Sequence, residues 1–195
     1  MNKSLIVTID GKQFDLSSAN NVLIVGATGS GKSVFLHKLI TSLQANYGEA
    51  INLILIDLKQ TEFFNYDQAI FDLPQAQQAL QDLLQHSTNA TEDDKPTVLI
   101  CDEATELAIH SQAVKLLSQL AQSSNNANVC LVLATQRYDW GRGTANLKKH
   151  LQTRLCFRVA SKADSIKVLG FAGAENLKTG EFLHNLPQNI KRIAD

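Results

Sequence analysis

Three cysteines, three prolines, one methionine and one tryptophan among 195 residues leave several kinds of chemistry without material. Cys101, Cys130 and Cys156 each lie inside an apolar, strand-like run, and no pair has the spacing of a metal site. An odd number, in a chain whose Met1-Asn2-Lys3-Ser4 start leads into no signal-peptide core, argues against a disulfide framework. They are expected as small buried residues in a reducing compartment, outside any catalysis. No apolar run approaches the roughly 18 residues that a bilayer span needs, so the expected location is cytoplasmic. Proline, glycine and serine never gather into a linker, and no repeat or low-complexity tract appears. Arginine is absent before Arg137.

What is present suits a single domain over residues 1–195. The chain is 44% hydrophobic and 19% charged, enough for a full core and too apolar for disorder. Its net charge of -1 conceals an asymmetry. Residues 1–98 carry six lysines against eleven acids, whereas residues 99–195 carry twelve basic side chains against eight acids. Between Arg137 and Lys167, eight basic residues face only Asp139 and Asp164. Such a run is either a solvated helix face or a surface for a polyanion, and charge alone leaves both open.

Short apolar runs alternate with amphipathic stretches. Strands are expected at Val22–Val25, Ile51–Ile56, Thr97–Cys101, Val129–Ala134 and Leu155–Val159. Helices are expected at Val34–Tyr47, from Pro74 onward and at about Ser111–Gln122. That alternation predicts an α/β fold with a mostly parallel central sheet and helices on both faces. The ends, Leu5–Phe14 and Phe182–Ile193, read as short antiparallel additions.

The strongest motif is Gly26-Ala27-Thr28-Gly29-Ser30-Gly31-Lys32-Ser33, a GxxxxGK[ST] loop between a strand and a helix, with Val34 continuing the nucleotide-binding stretch. Its glycines let successive N–H groups turn inward as a nest for phosphates, and the helix start adds its positive dipole end. Lys32 is expected on the β- and γ-phosphates of ATP and Ser33 on Mg²⁺. The second motif, Thr97–Cys101 followed by Asp102-Glu103, ends a buried strand in two acids. It suggests Asp102 as the Mg²⁺ carboxylate and Glu103 as the base that polarises a water. An activated water favours hydrolysis over transfer to a small acceptor, which makes a small-molecule kinase the weakest reading. The third motif is Ala134-Thr135-Gln136-Arg137, where Gln136 suits a sensor of the γ-phosphate. An additional strand between the P-loop and Asp-Glu strands makes the expected layout RecA-like (ASCE type).

In order along the chain, LIVGATGSGKSV, LILIDLKQTEF, VLICDEATEL, LVLATQR, TRLCFRVASKADSIKVLG and GAENLKTGEFL resemble the motor domain of the FtsK/SpoIIIE branch of the FtsK–HerA superfamily. That superfamily includes genome-packaging ATPases of membrane-containing icosahedral viruses. The resemblance implies a ring, expected to be hexameric, that threads double-stranded DNA and binds ATP and Mg²⁺ between subunits. It supports the roles given to Lys32, Ser33, Asp102, Glu103 and Gln136, and places Lys59 on a family lysine after the second strand, a position that reads equally as a surface loop lysine. The stretch Ser123-Ser124-Asn125-Asn126 departs from the family, which has basic residues there. A trans-acting arginine finger therefore falls among Arg137, Arg142, Arg154, Arg158 and Arg192, with Arg154 first and Arg137 second.

The region Tyr138–His150 matches the pore-lining part of the family, so Arg142, Lys148 and Lys149 are expected on DNA phosphates, without sequence readout. Trp140 is expected in the core. Anchor and reader domains of cellular members find no room here, so the expected setting is a stand-alone viral packaging motor docked at a membrane or capsid vertex. A plasmid or chromosome transfer motor is the alternative, and a secretion-type ATPase acting on protein substrates comes third.

Overall fold

A computed structural model describes residues 4–19, 21–91, 93–123, 128–141 and 143–185. The chain opens with β1 (Ile6–Ile9), β2 (Lys12–Asp15) and a single turn, α1 (Leu16–Ala19). Next come β3 (Asn21–Val25), α2 (Lys32–Tyr47), β4 (Asn52–Asp57), β5 (Ala69–Ile70) and α3 (Leu73–Thr88). The middle holds β6 (Thr97–Asp102), α4 (Thr105–Ala108), α5 (Ser111–Ser123) and β7 (Val129–Thr135). Then α6 (Ala145–His150), β8 (Thr153–Phe157), α7 (Lys162–Leu169) and β9 (Phe182–His184) complete it.

Seven strands form one sheet in the order β5-β4-β6-β7-β3-β8-β9. All neighbours are parallel except β8 and β9, which run antiparallel. β7 lies between β3, which precedes the P-loop, and β6, which ends in Asp102. This is the RecA-like arrangement that the motifs predict. Strands β3, β6 and β7 are buried along their whole length, as central strands of a parallel sheet are.

Alternation along each strand divides the core in two. Val22, Ile24, Val132 and Ala134 face Phe35, Leu36, Leu39, Ile40 and Leu43 of α2. Leu23, Val25, Leu131 and Leu133 face the opposite layer, built from α3, α5, α6 and α7. Caps match the sequence. Asp72 accepts from Gln75 N at 3.0 Å to start α3, and Ser161 accepts from Asp164 N at 3.2 Å to start α7. Gly170, at φ 87°, ends α7 in the left-handed conformation.

The amino-terminal addition is the expected antiparallel pair, and among the described residues β1 and β2 form a two-stranded sheet of their own. They pack on α2, where Thr8 N donates to Ser42 Oγ at 2.9 Å and Ile6 N to the Tyr47 hydroxyl. In the segment after the sensor strand, α6 occupies the second half. All three cysteines are buried and free. Burial pushes the Cys130 and Cys156 thiols up to about 12. Among the described residues, no helix is long and apolar enough to cross a membrane.

Candidate nucleotide site

Parallel strands end together, so β3, β4, β6, β7 and β8 deliver their following residues to one edge of the sheet. The loop Gly26–Gly31 crosses that edge. Gly26 N donates to Thr135 O at 3.2 Å and Ala27 N to Arg158 O at 2.9 Å, which fastens the loop to β7 and to the end of β8. At Gly26 a Cβ would fall 2.6 Å from the Phe157 Cβ, so only glycine fits. Gly31 (φ 103°) caps α2, and a Cβ there would lie 2.9 Å from the backbone of Gly180. Gly180 N in turn donates to Ser30 O at 2.9 Å, and Thr179 Oγ1 to Gly29 O at 3.3 Å. The turn before β9 is thus a brace under the phosphate loop. Replacing Gly31 by alanine is expected to cost about 2 kcal/mol through backbone strain and contact, a fall of about 5 °C in Tm by calorimetry. ATP affinity should fall with it.

Lys32 is buried, and its Nζ donates to Gly26 O at 2.7 Å and Ala27 O at 3.2 Å. Burial lowers its pKa against the opposing pull of Asp102 and Glu103. The ammonium therefore waits on carbonyls of its own loop, within the field of both acids. Ser33 is half-buried on the first turn of α2, and Val34 is exposed beside it.

Asp102 ends β6 beside Asp57, its register partner at the end of β4. Its pKa is pushed up to about 6, by burial first and then by Glu62, Asp57 and Glu103, with Lys32 acting in the opposite sense. A carboxylate so surrounded by like charge is suited to a cation. Among the described residues, no cluster of three or more ligating side chains forms a closed metal cage. Mg²⁺ takes one or two protein groups and completes its shell with water and phosphate oxygens. Ser33 and Asp102 are the residues that would hold it.

Glu103 is 5% exposed and sits in the left-handed region at φ 51°. A glutamate rarely adopts that backbone, and such strain gathers at functional sites. Its Oε1 accepts from Thr135 Oγ1 at 3.0 Å, from Gln136 N at 3.3 Å and from the Thr105 hydroxyl. Its Oε2 faces Lys59 Nζ at 3.6 Å. Gln136 Oε1 accepts from Thr28 Oγ1 at 3.0 Å. Gln136 therefore joins the phosphate loop to Glu103 through its side chain and its backbone, as a sensor position would.

The structure brings Lys32, Ser33, Asp102, Glu103 and Gln136 to one edge, and it adds groups the motifs did not single out. Asp57 is fully buried, with Oδ2 accepting from Thr61 N, Glu62 N and Phe63 N at 2.7–3.1 Å. The signal for it was the matching ends of adjacent strands. Lys59, read equally as a surface residue or a family lysine, bridges Glu103 and Glu106.

Arg154, the first choice of finger, sits among partners from its own chain. Its Nε donates to Leu151 O at 3.2 Å and its Nη1 to Val168 O at 2.9 Å, near the end of α7. Its guanidinium also lies 5.4 Å from the Tyr138 ring, so it is committed within its own chain. Sequence reasoning saw the position before a strand, not the helix end that would claim the side chain. Arg137, by contrast, is exposed. Of the expected DNA contacts, Lys149 is exposed and Lys148 half-buried, its Nζ 4.8 Å from the Tyr138 ring. Arg142 and Arg192 lie outside the described residues. Trp140 is buried, with Nε1 donating to Arg137 O at 2.8 Å.

The FtsK/SpoIIIE family model matches residues 6–77. DNA translocase FtsK of Staphylococcus epidermidis is 28% identical over 207 residues, covering 86% of this chain and 26% of that protein. The chain thus spans about a quarter of the length of the curated relatives it matches. Among solved structures, the pCW3 conjugation coupling protein TcpA superposes with a TM-score of 0.79 at 24% identity, over 96% of this chain and 64% of that one. The Type VII secretion ATPase EccC of Thermomonospora curvata gives 0.73 at 23%, over 95% and 27%. B204, the DNA-packaging ATPase of Sulfolobus turreted icosahedral virus, gives 0.63 at 20%, over 85% and 91%. In motif order and sequence relatives the chain is similar to the FtsK/SpoIIIE family, and in sheet topology it is built on the RecA-like P-loop fold.

Proposed function

We propose that the chain is an ATP-hydrolysing motor that moves double-stranded DNA as a ring of identical subunits. The observation that carries this reading is the convergence of Lys32, Asp102, Glu103 and Gln136 on one sheet edge, in a chain similar to FtsK translocases over 86% of its length. The phosphate loop receives the triphosphate, and Lys32 exchanges its two backbone acceptors for phosphate oxygens. Ser33 and Asp102 are the residues that would hold Mg²⁺, whose charge would offset that of the phosphates. Glu103 takes a proton from the attacking water. Gln136 couples the occupancy of the loop to the position of that base. A neighbour's arginine completes the site; with Arg154 committed internally, the exposed Arg137 takes first place.

DNA would meet the segment after β7, where Lys149 is exposed and Lys148 stands over aromatic rings. Contacts of this kind neutralise phosphate and read no bases. The setting we favour is viral genome packaging, for which the likeness to B204 is the support; transfer of plasmid or chromosomal DNA is the alternative. The likeness to EccC favours a second reading, an ATPase acting on a protein substrate.

The test is the steady-state ATPase rate with and without long double-stranded DNA at two salt concentrations. Salt-sensitive stimulation is the expected result. Lys148→Gln with Lys149→Gln should weaken DNA binding and reduce its salt slope by about two. Absence of stimulation, with intact basal hydrolysis, would favour the protein-substrate reading.

A further inference from the structure

Lys59, in the stretch LILIDLKQTEF, has no part in the chemistry proposed for the site, yet it reaches the oxygen on which that chemistry depends. Oε1 of Glu103 accepts from the Thr105 hydroxyl and the Gln136 amide, and stands 3.0 Å from the Thr135 hydroxyl, whose one proton Arg137 O also claims at 2.9 Å. With its lone pairs so engaged, that oxygen has none left for a water. Oε2 is the oxygen available to a general base, and Lys59 Nζ stands 3.6 Å from it. A carboxylate whose second oxygen is held by an ammonium is a poor acceptor for a water proton. The same Nζ lies 3.4 Å from Glu106 Oε1, one turn further on. Glu103 is 6% exposed at its side chain, whereas Glu106 is 39% exposed. The ammonium is therefore shared between a buried acid and a solvated one.

The loop that carries Lys59 is stiff. Asp57 collects the N–H groups of Thr61, Glu62 and Phe63, Gln60 turns at φ 56°, and Phe63 is fully buried beneath. Only the lysine's own rotamers are needed to pass Nζ from one acid to the other.

We propose that Lys59 is a latch on the base: it masks Glu103 Oε2 while the site is at rest, and transfer of its ammonium to Glu106 frees that oxygen for the attacking water. Lys59 is a positioning residue in this scheme, and Glu106 is its receiver. The water oxygen then bonds to the γ-phosphorus, its proton passes to Oε2, and the bond to the ADP oxygen breaks. This inference rests on the ATPase reading above.

The experiment compares steady-state ATP hydrolysis by the full chain, without and with long double-stranded DNA, for wild type, Lys59→Met and Glu106→Gln. Lys59→Met is expected to raise the DNA-free kcat about three- to tenfold, the scale of a partly buried ion pair, with KM for ATP changed less than about twofold. Glu106→Gln removes the receiver and is expected to lower the DNA-free kcat by a similar factor. The double variant should behave as Lys59→Met. A merely structural role would lower kcat in both single variants, and that result, or equal rates in all, overturns the latch. Should Lys59→Met fail to fold, the sign of the Glu106→Gln effect decides alone. A wild-type chain that hydrolyses no ATP overturns the function and the latch together; wild-type activity without the opposed variant effects overturns the latch only.

Discussion

Lys32→Ala is expected to reduce ATP hydrolysis to background and ATP affinity by at least about a hundredfold, the loss of charge-assisted contacts to two phosphates. Stability should change little. The buried ammonium is held by only two carbonyls of its own loop, and burial already lowers its pKa. Removing the charge relieves its desolvation cost and offsets the lost hydrogen bonds. Binding of a fluorescent ATP analogue, hydrolysis and thermal unfolding measured on one preparation separate these effects. Unchanged turnover would remove Lys32 from the site, and a large fall in Tm would mean that the residue holds the fold.

The second large effect is expected from Glu103→Gln. Glutamine keeps the shape and retains an oxygen to accept from Thr135 Oγ1 and Gln136 N, so the strained turn at φ 51° should persist. What disappears is the proton acceptor. Hydrolysis should fall by about 10²–10⁴-fold while ATP still binds, leaving a chain trapped with intact nucleotide. Retained ATP after a filter-binding chase, beside a wild type that has turned over, checks this. Normal turnover would exclude Glu103 as the base.

Much of the site was legible because its determinants are local. A glycine-rich loop between Val25 and Lys32 needs only its own backbone angles and the helix that follows. Asp102 and Glu103 follow a run, Thr97–Cys101, whose apolar character marks a central strand without reference to anything else. The surroundings of Arg154 were not legible for the opposite reason. Its sequence neighbourhood gives no sign that the carbonyls of Leu151 and Val168 will converge on its guanidinium, because Val168 lies on a helix that returns to β8 only in the folded chain. The amino-terminal hairpin shows the same limit. Its alternating pattern identifies strands, but which partner they take depends on the apolar face of α2 lying within reach.

The sequence by itself determined the phosphate-loop motif, the acid pair at a strand end, and the alternation of central strands and helices that makes the sheet mostly parallel, since each follows from periodicity or from a short motif with its own mechanism. Only the tertiary structure decided how those pieces act on one another. It placed Gly180 against Gly31, set Lys59 between Glu103 and Glu106, and joined Gln136 to Thr28. These contacts span separations from 44 to 149 residues. Their physical cause is that five parallel strands end at one edge, where side chains distant in sequence share a small volume and must satisfy one another's charges and hydrogen bonds.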